Sequence, residues 1–363
     1  MRLTRSPNII AYWKGGQFVV EEFVRRKRIT AIPLVATLLD TFDRARSIDE
    51  VARSFPPYRP TSVGREIRRL RRLGFLVPAA ERGAEGDVSN AWRGCFAAGY
   101  YHFATGNVRY AADEAGRMRY IQERLQTGPP PPAFKNYSTR PWVPLPKRHR
   151  ARADDALLAV LRQRRTVREF SRRSVSFADF AHIIAGTWGR TKMVDAGLLG
   201  NVILKTSPSA GARHPIECYL LVWNVEGIAS GLYHYSVRRN GLERLLDGDF
   251  RRRAVQIAAG QKWIGQAAFL CVMTAVADRV FWKYPSSDAY RLFFLDAGHL
   301  AQTFALLATS RGLGAFTTAA MNESAVQTAL RLDGIREFPV YLCGAGSPRE
   351  RAAIGAAAGG SLL

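Results

Sequence analysis

Residues 290–312 read YRLFFLDAGHLAQTFALLATSRG. The stretch is a long, nearly all-apolar helix ended by Gly312, with Leu292, Phe293, Phe294, Leu295 and Leu300 as ordinary core material. It is too apolar around its circumference for a surface helix and too charged at its start to span a membrane. Its place is the centre of a domain or a subunit interface. Just before it, inside FWKYP (281–285), stand Lys283 and Tyr284. Read locally, they are a surface lysine and an aromatic anchor at a helix start.

Working outward from this helix, the second half of the chain reads as α+β. IECYLLVWNV (216–225), QAAFLCVMTAV (266–276) and FPVYLCGAG (338–346) are nearly continuous apolar runs of strand length, the pattern of a buried sheet. GLYHYSVRRNGLERLL (231–246) reads as a hairpin turning at Asn240-Gly241. DDALLAVLRQRR (154–165) is an amphipathic helix, and SFADFAHIIAGTWG (176–189) is another with Ser176 as its N-cap.

The first half is organised differently. ITAIPLVATLLDTF (29–42), SIDEVARSF (47–55) and RPTSVGREIRRLRR (59–72) read as three helices, followed by a strand at FLV (75–77). Ser47 and Glu50 form a capping box for the second helix. Val63, Ile67, Leu70 and Leu73 share one face of the third, and Arg65, Arg68, Arg69, Arg71 and Arg72 take much of the rest. Three short helices and a strand predict a winged-helix-like domain over residues 1–80. Such a unit inserts a basic helix into a DNA groove, lines a groove for a peptide, or is an accessory domain with a solvated Arg face; its own sequence does not choose. Residues 81–150 read as a connecting segment whose Pro-rich part, 127–150, is an extended linker. Residues 151–363 then form the second domain.

The totals narrow the classes. The chain has 363 residues, 47% of them hydrophobic and 11% aromatic, enough for real cores and unlike a disordered chain. No apolar run reaches spanning length and the first residues lack a signal-peptide core, so a cytoplasmic protein is expected. The four cysteines are scattered and read as buried thiols. No His, Cys or carboxylate cluster has metal-ligand spacing, so no metal is expected. A net charge of +23 implies an anionic partner without choosing among nucleic acid, a phosphate-bearing cofactor and an acidic peptide.

Four segments carry candidate chemistry. QRRTVREF (163–170) gathers Arg164, Arg165 and Arg168 around Thr166, and the arginine fork suits phosphate. TSPSAGARHPIECYL (206–220) leads small residues into a buried strand, which lets the backbone approach a flat ligand. SRGLGAFTTAAMNE (310–323) follows the long helix with Gly312 and Gly314, but is no dinucleotide-binding fingerprint. GSPRERA (346–352) returns Arg349 and Arg351 after the last strand.

In this order, RRTVREF, SPSAGARHPIE, LDAGHLAQ, GLGAF and a terminal GxGxPRE together resemble the nitroreductase superfamily, and within it the SagB-type dehydrogenases, FMN-dependent azoline oxidases of ribosomal-peptide maturation. The resemblance covers about residues 154–352, and WRGCFAAGYYHFAT (92–105) is similar to what precedes the core in that branch. It implies a central, mainly antiparallel sheet surrounded by helices, an FMN cofactor and a homodimer with the flavin at its interface. By position, Arg164, Thr166 and Arg168 would form the first flavin-contacting cluster, Arg164, with Arg165, meeting the phosphate and Arg168 the pyrimidine edge of the ring. Ser207, Pro208, Ser209, Ala210 and Gly211 would line the isoalloxazine, Gly312, Leu313, Gly314 and Ala315 would pass backbone along it, and Arg349 and Arg351 would close on the phosphate. The sequence departs from the branch at Ala210-Gly211-Ala212, where members often carry two adjacent glycines before the His-Pro step.

The same branch carries a Lys-Tyr pair where Lys283-Tyr284 stands. Oxidising a thiazoline or oxazoline to an azole removes a proton from carbon and sends a hydride to the flavin, and a lysine near the ring can serve as the base. The resemblance therefore implies Lys283 as base, Tyr284 as its partner, a ribosomal precursor peptide as substrate and a cyclodehydratase-type partner enzyme, with no membrane or nucleic-acid partner. Two other functions use the same features. One is a flavin reductase of dehydroalanine-type alkenes or of nitro and quinone compounds. The other is a flavin-sensing, DNA-binding regulator.

Overall fold

The computed structural model describes residues 1–81, 88–108, 114–132 and 156–349. Two compact units account for them: one of residues 1–106, 276–293 and 333–338, the other of residues 107–275, 294–332 and 339–363. The expected linker beyond residue 132 and Arg351 lie outside the described residues.

The first unit begins with elements the sequence reading leaves unassigned. β1 (Arg2–Arg5) is followed by a three-stranded antiparallel meander, β2 (Ile9–Lys14), β3 (Gln17–Glu22) and β4 (Lys27–Thr30). Lys14 pairs with Gln17 across Gly15-Gly16, both at positive φ (55° and 76°), a two-residue hairpin turn that glycine makes at no steric cost. Then come α1 (Pro33–Thr41), β5 (Arg46–Ser47), α2 (Ile48–Arg53), α3 (Pro60–Arg72) and β6 (Leu76–Pro78). The three helices stand where their periodicity puts them, and α2 carries the Ser47–Glu50 capping box. β1 is the middle strand of a small sheet, flanked by β5 and β6. Leu38, Phe42, Val63, Ile67, Leu70 and Phe75 form the core beneath.

Two short helices, α4 (Val88–Ala91) and α5 (Phe96–Thr105), complete the unit's first stretch. Trp92 is fully buried among Phe281, Tyr290 and Phe338, and its indole N–H donates to the Ile335 carbonyl at 2.7 Å. His102 lies in the same cluster, its Nδ1 2.9 Å from the Tyr290 hydroxyl. Burial holds its pKa down to about 4, so the ring is neutral near pH 7.

The second unit contains α6 (Glu114–Thr127), α7 (Ala156–Gln163), α8 (Phe177–Trp188) and the hairpin β7 (Arg190–Asp195) with β8 (Asn201–Lys205). Ser176 caps α8 by accepting from the Asp179 amide. Strands β9 (Ile216–Val222), β10 (Gly231–Ser236) and β11 (Gly241–Asp247) follow, then α9 (Arg251–Ile257) and β12 (Phe269–Val276). The turn between β10 and β11 is longer than the two-residue one expected: Ser236 pairs with Gly241, so Gly241 already belongs to the strand. α10 (Ala277–Phe281) and residues 290–293 of the long helix α11 (Tyr290–Ser310) fall in the first unit; the rest of α11, β13 (Gly314–Thr318), α12 (Glu323–Leu330) and, from residue 339 on, β14 (Glu337–Gly346) fall in the second.

The main sheet has the order β11-β10-β9-β12-β14-β13, antiparallel in β11/β10, β10/β9, β9/β12 and β14/β13. Alternation along β12 decides what covers each face. Leu270 and Val272 point into a core with Ile257, Phe316 and Val326, beneath α9 and α12. Phe269 points the other way, 4.9 Å from the Phe180 ring of α8 and 6.1 Å from the Phe304 ring of α11. The two helices interlock where a side chain is missing: a Cβ on Gly186 would stand 2.8 Å from Leu307 Cδ1. By length and composition alone, the segment 287–310 would suffice to cross a membrane. Its Ala297, Ala301, Phe304 and Ala308 are buried in the protein, the packing of a core helix. Cys218, Cys271 and Cys343 stand as neighbours within the sheet, and burial pushes all three thiols up. Cys95 is buried in the first unit.

Candidate functional site

The segment after α7 is stitched to β13 and to the end of β14 by backbone. The Val167 amide donates to the Ala315 carbonyl at 2.9 Å, Ser171 to Ser347 at 2.8 Å and Arg349 to Glu169 at 3.2 Å. Arg349 Nε also donates to the Phe170 carbonyl at 3.3 Å. Three of the four segments singled out in the sequence are therefore neighbours. Gly314 is needed at this seam, since a Cβ there would stand 2.8 Å from Val167 Cβ.

Beside the seam lies an open cleft of about 140 Å³. Arg164 and Thr166 line it from the segment after α7, and Ala315, Phe316, Thr317 and Tyr341 from the sheet. Gly298, Ala301, Gln302 and Ala305 line it from one face of α11. A Cβ built on Gly298 meets nothing within 4 Å, so space that a side chain would occupy is left open. Among the described residues the lining mixes small residues (Gly298, Ala301, Ala305, Ala315) with the Phe316 and Tyr341 rings, the Thr166, Thr317 and Tyr341 hydroxyls, the Gln302 amide and the Arg164 guanidinium. That donor set fits a flat aromatic ring bearing an anionic group.

The other arginines have their own partners. Arg165 Nη1 donates to the carbonyls of Arg162 (2.9 Å) and Arg164 (2.7 Å) at the end of α7. The Arg168 guanidinium lies 5.9 Å from the centroid of Trp263. Leu313 is buried, its amide bonded to the Ala308 carbonyl at 3.0 Å, and Gly312 takes the left-handed turn (φ 68°) that ends α11.

The loop from Ser207 to Gly211 meets a different face of the same helix. Ser207 Oγ is 2.7 Å from Thr303 Oγ1, and His299 Nδ1 is 3.3 Å from the Pro208 carbonyl. Asp296, 4% exposed, accepts from the Ser209 hydroxyl and the Ala210 amide. Burial raises its pKa, and the Ser209 and Ala210 bonds oppose that rise. At about 100° per residue, positions 296, 299 and 303 cluster on one side of α11, while 298, 301, 302 and 305 cluster on the opposite side. Within one chain, the Arg164 cleft and the Ser207–Gly211 loop are thus separated by the thickness of a helix.

Lys283 and Tyr284 belong to the first unit. They sit in the connection between α10 and α11 rather than at the start of α11, their amides bonded to the Val280 carbonyl at 3.0 and 2.9 Å. Both are half-buried, with the Lys283 ammonium 5.5 Å from the centroid of the Tyr284 ring.

Sequence reasoning missed the α11 contributions: Gly298, Ala301, Gln302 and Ala305 at the cleft, and Asp296, His299 and Thr303 at the loop. A lone carboxylate in an otherwise apolar helix was the available signal.

The model of the Nitroreductase family matches residues 161–347. MJ1384 of Methanocaldococcus jannaschii, named for the same family, is 29% identical over 208 residues, 57% of this chain and 97% of that protein. Trifolitoxin operon protein TfxC of Rhizobium leguminosarum bv. trifolii is 25% identical over 291 residues, 77% of this chain and 80% of its own. Trifolitoxin-processing protein TfxB of the same organism is 32% identical over 148 residues, 40% of each chain.

Proposed function

This chain belongs to the nitroreductase family, and from that premise we propose that it is an FMN-dependent dehydrogenase oxidising azoline rings of a ribosomally made peptide to azoles. The observation that carries the reading is the Arg164 cleft, lined by the Arg164 guanidinium and by the small residues Gly298, Ala301, Ala305 and Ala315. Arg164 would hold the phosphate, while Gly298, Ala301 and Ala305 would leave room for the ring. FMN supplies a hydride acceptor when bound. The proton lost from the azoline carbon goes to Lys283, with Tyr284 holding or relaying it.

The peptide side is supported by the extent of one likeness. The match to the trifolitoxin operon protein covers 291 residues, more than the span 161–347 that the family model matches. It therefore extends beyond the catalytic part. The Arg-rich face of α3 in the winged-helix-like unit would suit an acidic leader peptide or a cyclodehydratase-type partner.

The two-sided arrangement around α11 supports a homodimer. A flat ligand in one chain's cleft cannot also touch that chain's Ser207–Gly211 loop, so a second copy would bring its loop to the cleft. Apolar side chains left in solvent on α7 (Leu157, 64% exposed) and α11 (Leu295, 55% exposed) supply surface for it.

The test starts from purified protein: it should be yellow and release FMN. Given an azoline peptide and oxygen, the peptide should lose two hydrogens. Lys283→Ala should keep the flavin and lose this reaction; unchanged turnover removes Lys283 as the base. A gain of two hydrogens by a dehydroalanine peptide with reduced nicotinamide, and no azoline oxidation, would reassign the enzyme as a reductase.

A further inference from the structure

We propose that Asp296 is the positioning residue that sets the Ser207–Gly211 loop in the conformation a flat cofactor requires; the inference rests on the flavin reading above. The loop makes its own turn, with the Ala212 amide donating to the Ser209 carbonyl at 3.0 Å and Arg213 to Ala210 at 3.2 Å, and His214 Nε2 lies 3.0 Å from the Ile203 carbonyl, but these bonds close a strained backbone. Gly211 (φ 59°), Ala212 (φ 55°) and His214 (φ 43°) are all left-handed, and the last two carry side chains that disfavour it. Such backbone persists only where the surroundings over-determine it.

Asp296 adds a restraint from a rigid helix, beside the Ser207–Thr303 and His299–Pro208 contacts. Its carboxylate accepts from the Ser209 hydroxyl and the Ala210 amide. The Ser209 oxygen in turn accepts from the His214 amide at 2.8 Å. With its proton committed to Asp296, the hydroxyl presents a lone pair to His214, so one carboxylate orders both ends of the left-handed stretch. A carboxylate only accepts when ionised and becomes a donor when protonated. Burial works against the ionised form, while Lys205 from β8 and His299 from α11 favour it. His214 faces the same small pocket from the loop. Protonation of Asp296 leaves one acceptor oxygen for two donors and turns the other oxygen into a donor, so one of the two bonds to the loop is lost.

The test is FMN titration by quenching of flavin fluorescence, with backbone hydrogen exchange on the flavin-free protein. Asp296→Ala should weaken FMN binding at least tenfold and remove exchange protection at Ala210 and His214, while α11 and the sheet keep theirs. Asp296→Asn, which keeps one acceptor oxygen, should fall between. Ser209→Ala should weaken binding too, and adding it to Asp296→Ala should change nothing further, because the two act as one unit. Wild-type affinity should fall on the acid side, and the fall should be absent in Asp296→Asn. If Asp296→Ala does not fold, Asp296→Asn and Ser209→Ala carry the test. Binding within twofold of wild type in these variants, or additive effects, overturns the proposal alone. A wild-type protein that binds no FMN overturns the flavin reading, and this inference falls with it.

Discussion

The Val167 amide donates to the Ala315 carbonyl at 2.9 Å, and through that bond two segments about 150 residues apart in sequence become adjacent walls of one cleft. The seam is tight because Gly314 offers no side chain to Val167. Gly314→Ala would place a methyl group 2.8 Å from Val167 Cβ. Relief requires the Arg164–Arg168 segment to move, because β13 is held by β14 on its other side. The expected cost is about 1–3 kcal/mol of stability, with weaker FMN binding, read by urea unfolding and flavin titration. Wild-type affinity in a folded Gly314→Ala protein would detach Arg164 from the cofactor.

Gly298 gives the opposite pairing of effects. It is a helical glycine whose added Cβ meets nothing. Gly298→Ala should stabilise the protein by about 0.5–1 kcal/mol through the unfolded chain's lost freedom. Gly298→Leu should fold as well as wild type yet exclude FMN from the cleft. A Gly298→Leu protein that purifies yellow would place the flavin elsewhere.

Some of this was legible in the residues and some was not. The Arg-Thr-Arg, Ser-Pro-Ser-Ala-Gly and Gly-Leu-Gly stretches stand out because charge and small size are conspicuous beside apolar strands. The long helix announces itself by hydropathy, but its division of labour does not: Asp296, His299 and Thr303 share a face by periodicity, while only the folded chain says which loop they meet. The Gly15-Gly16 hairpin carried a readable turn signal. The β7–β8 hairpin did not, since its strands are exposed on both faces and show no clean alternation.

His102 makes the first unit acid-sensitive. Its folded pKa of about 4 lies below the ordinary histidine value of 6.5. The unfolded chain therefore binds the proton first, and stability present above pH 6.5 is lost as pH falls toward 4. The integrated loss is about 3 kcal/mol. His102→Asn should remove that slope from the pH dependence of unfolding; an unchanged slope would assign it to other groups.

His234 acts in the other direction in the second unit. It bridges Glu217 (3.1 Å) and Glu243 (3.0 Å) across three adjacent strands, and the Glu217 bond first, then Glu243, raises its pKa against the effect of burial. Its stabilisation is complete below pH 6.5 and is lost as pH rises through the folded value. Glu217→Gln should lower the His234 pKa followed by NMR and flatten the alkaline side of the profile. An unmoved titration would show that the bridge does not form in solution.

The buried cysteines make each unit report its own opening. Cys95 belongs to one unit, and Cys218, Cys271 and Cys343 lie in the sheet of the other. A thiol reagent cannot reach any of them without a structural excursion, so alkylation is a clock for that excursion and not for surface reactivity. Mass spectrometry separates molecules carrying one label from those carrying three. The order in which these species accumulate states which half of the protein gives way first.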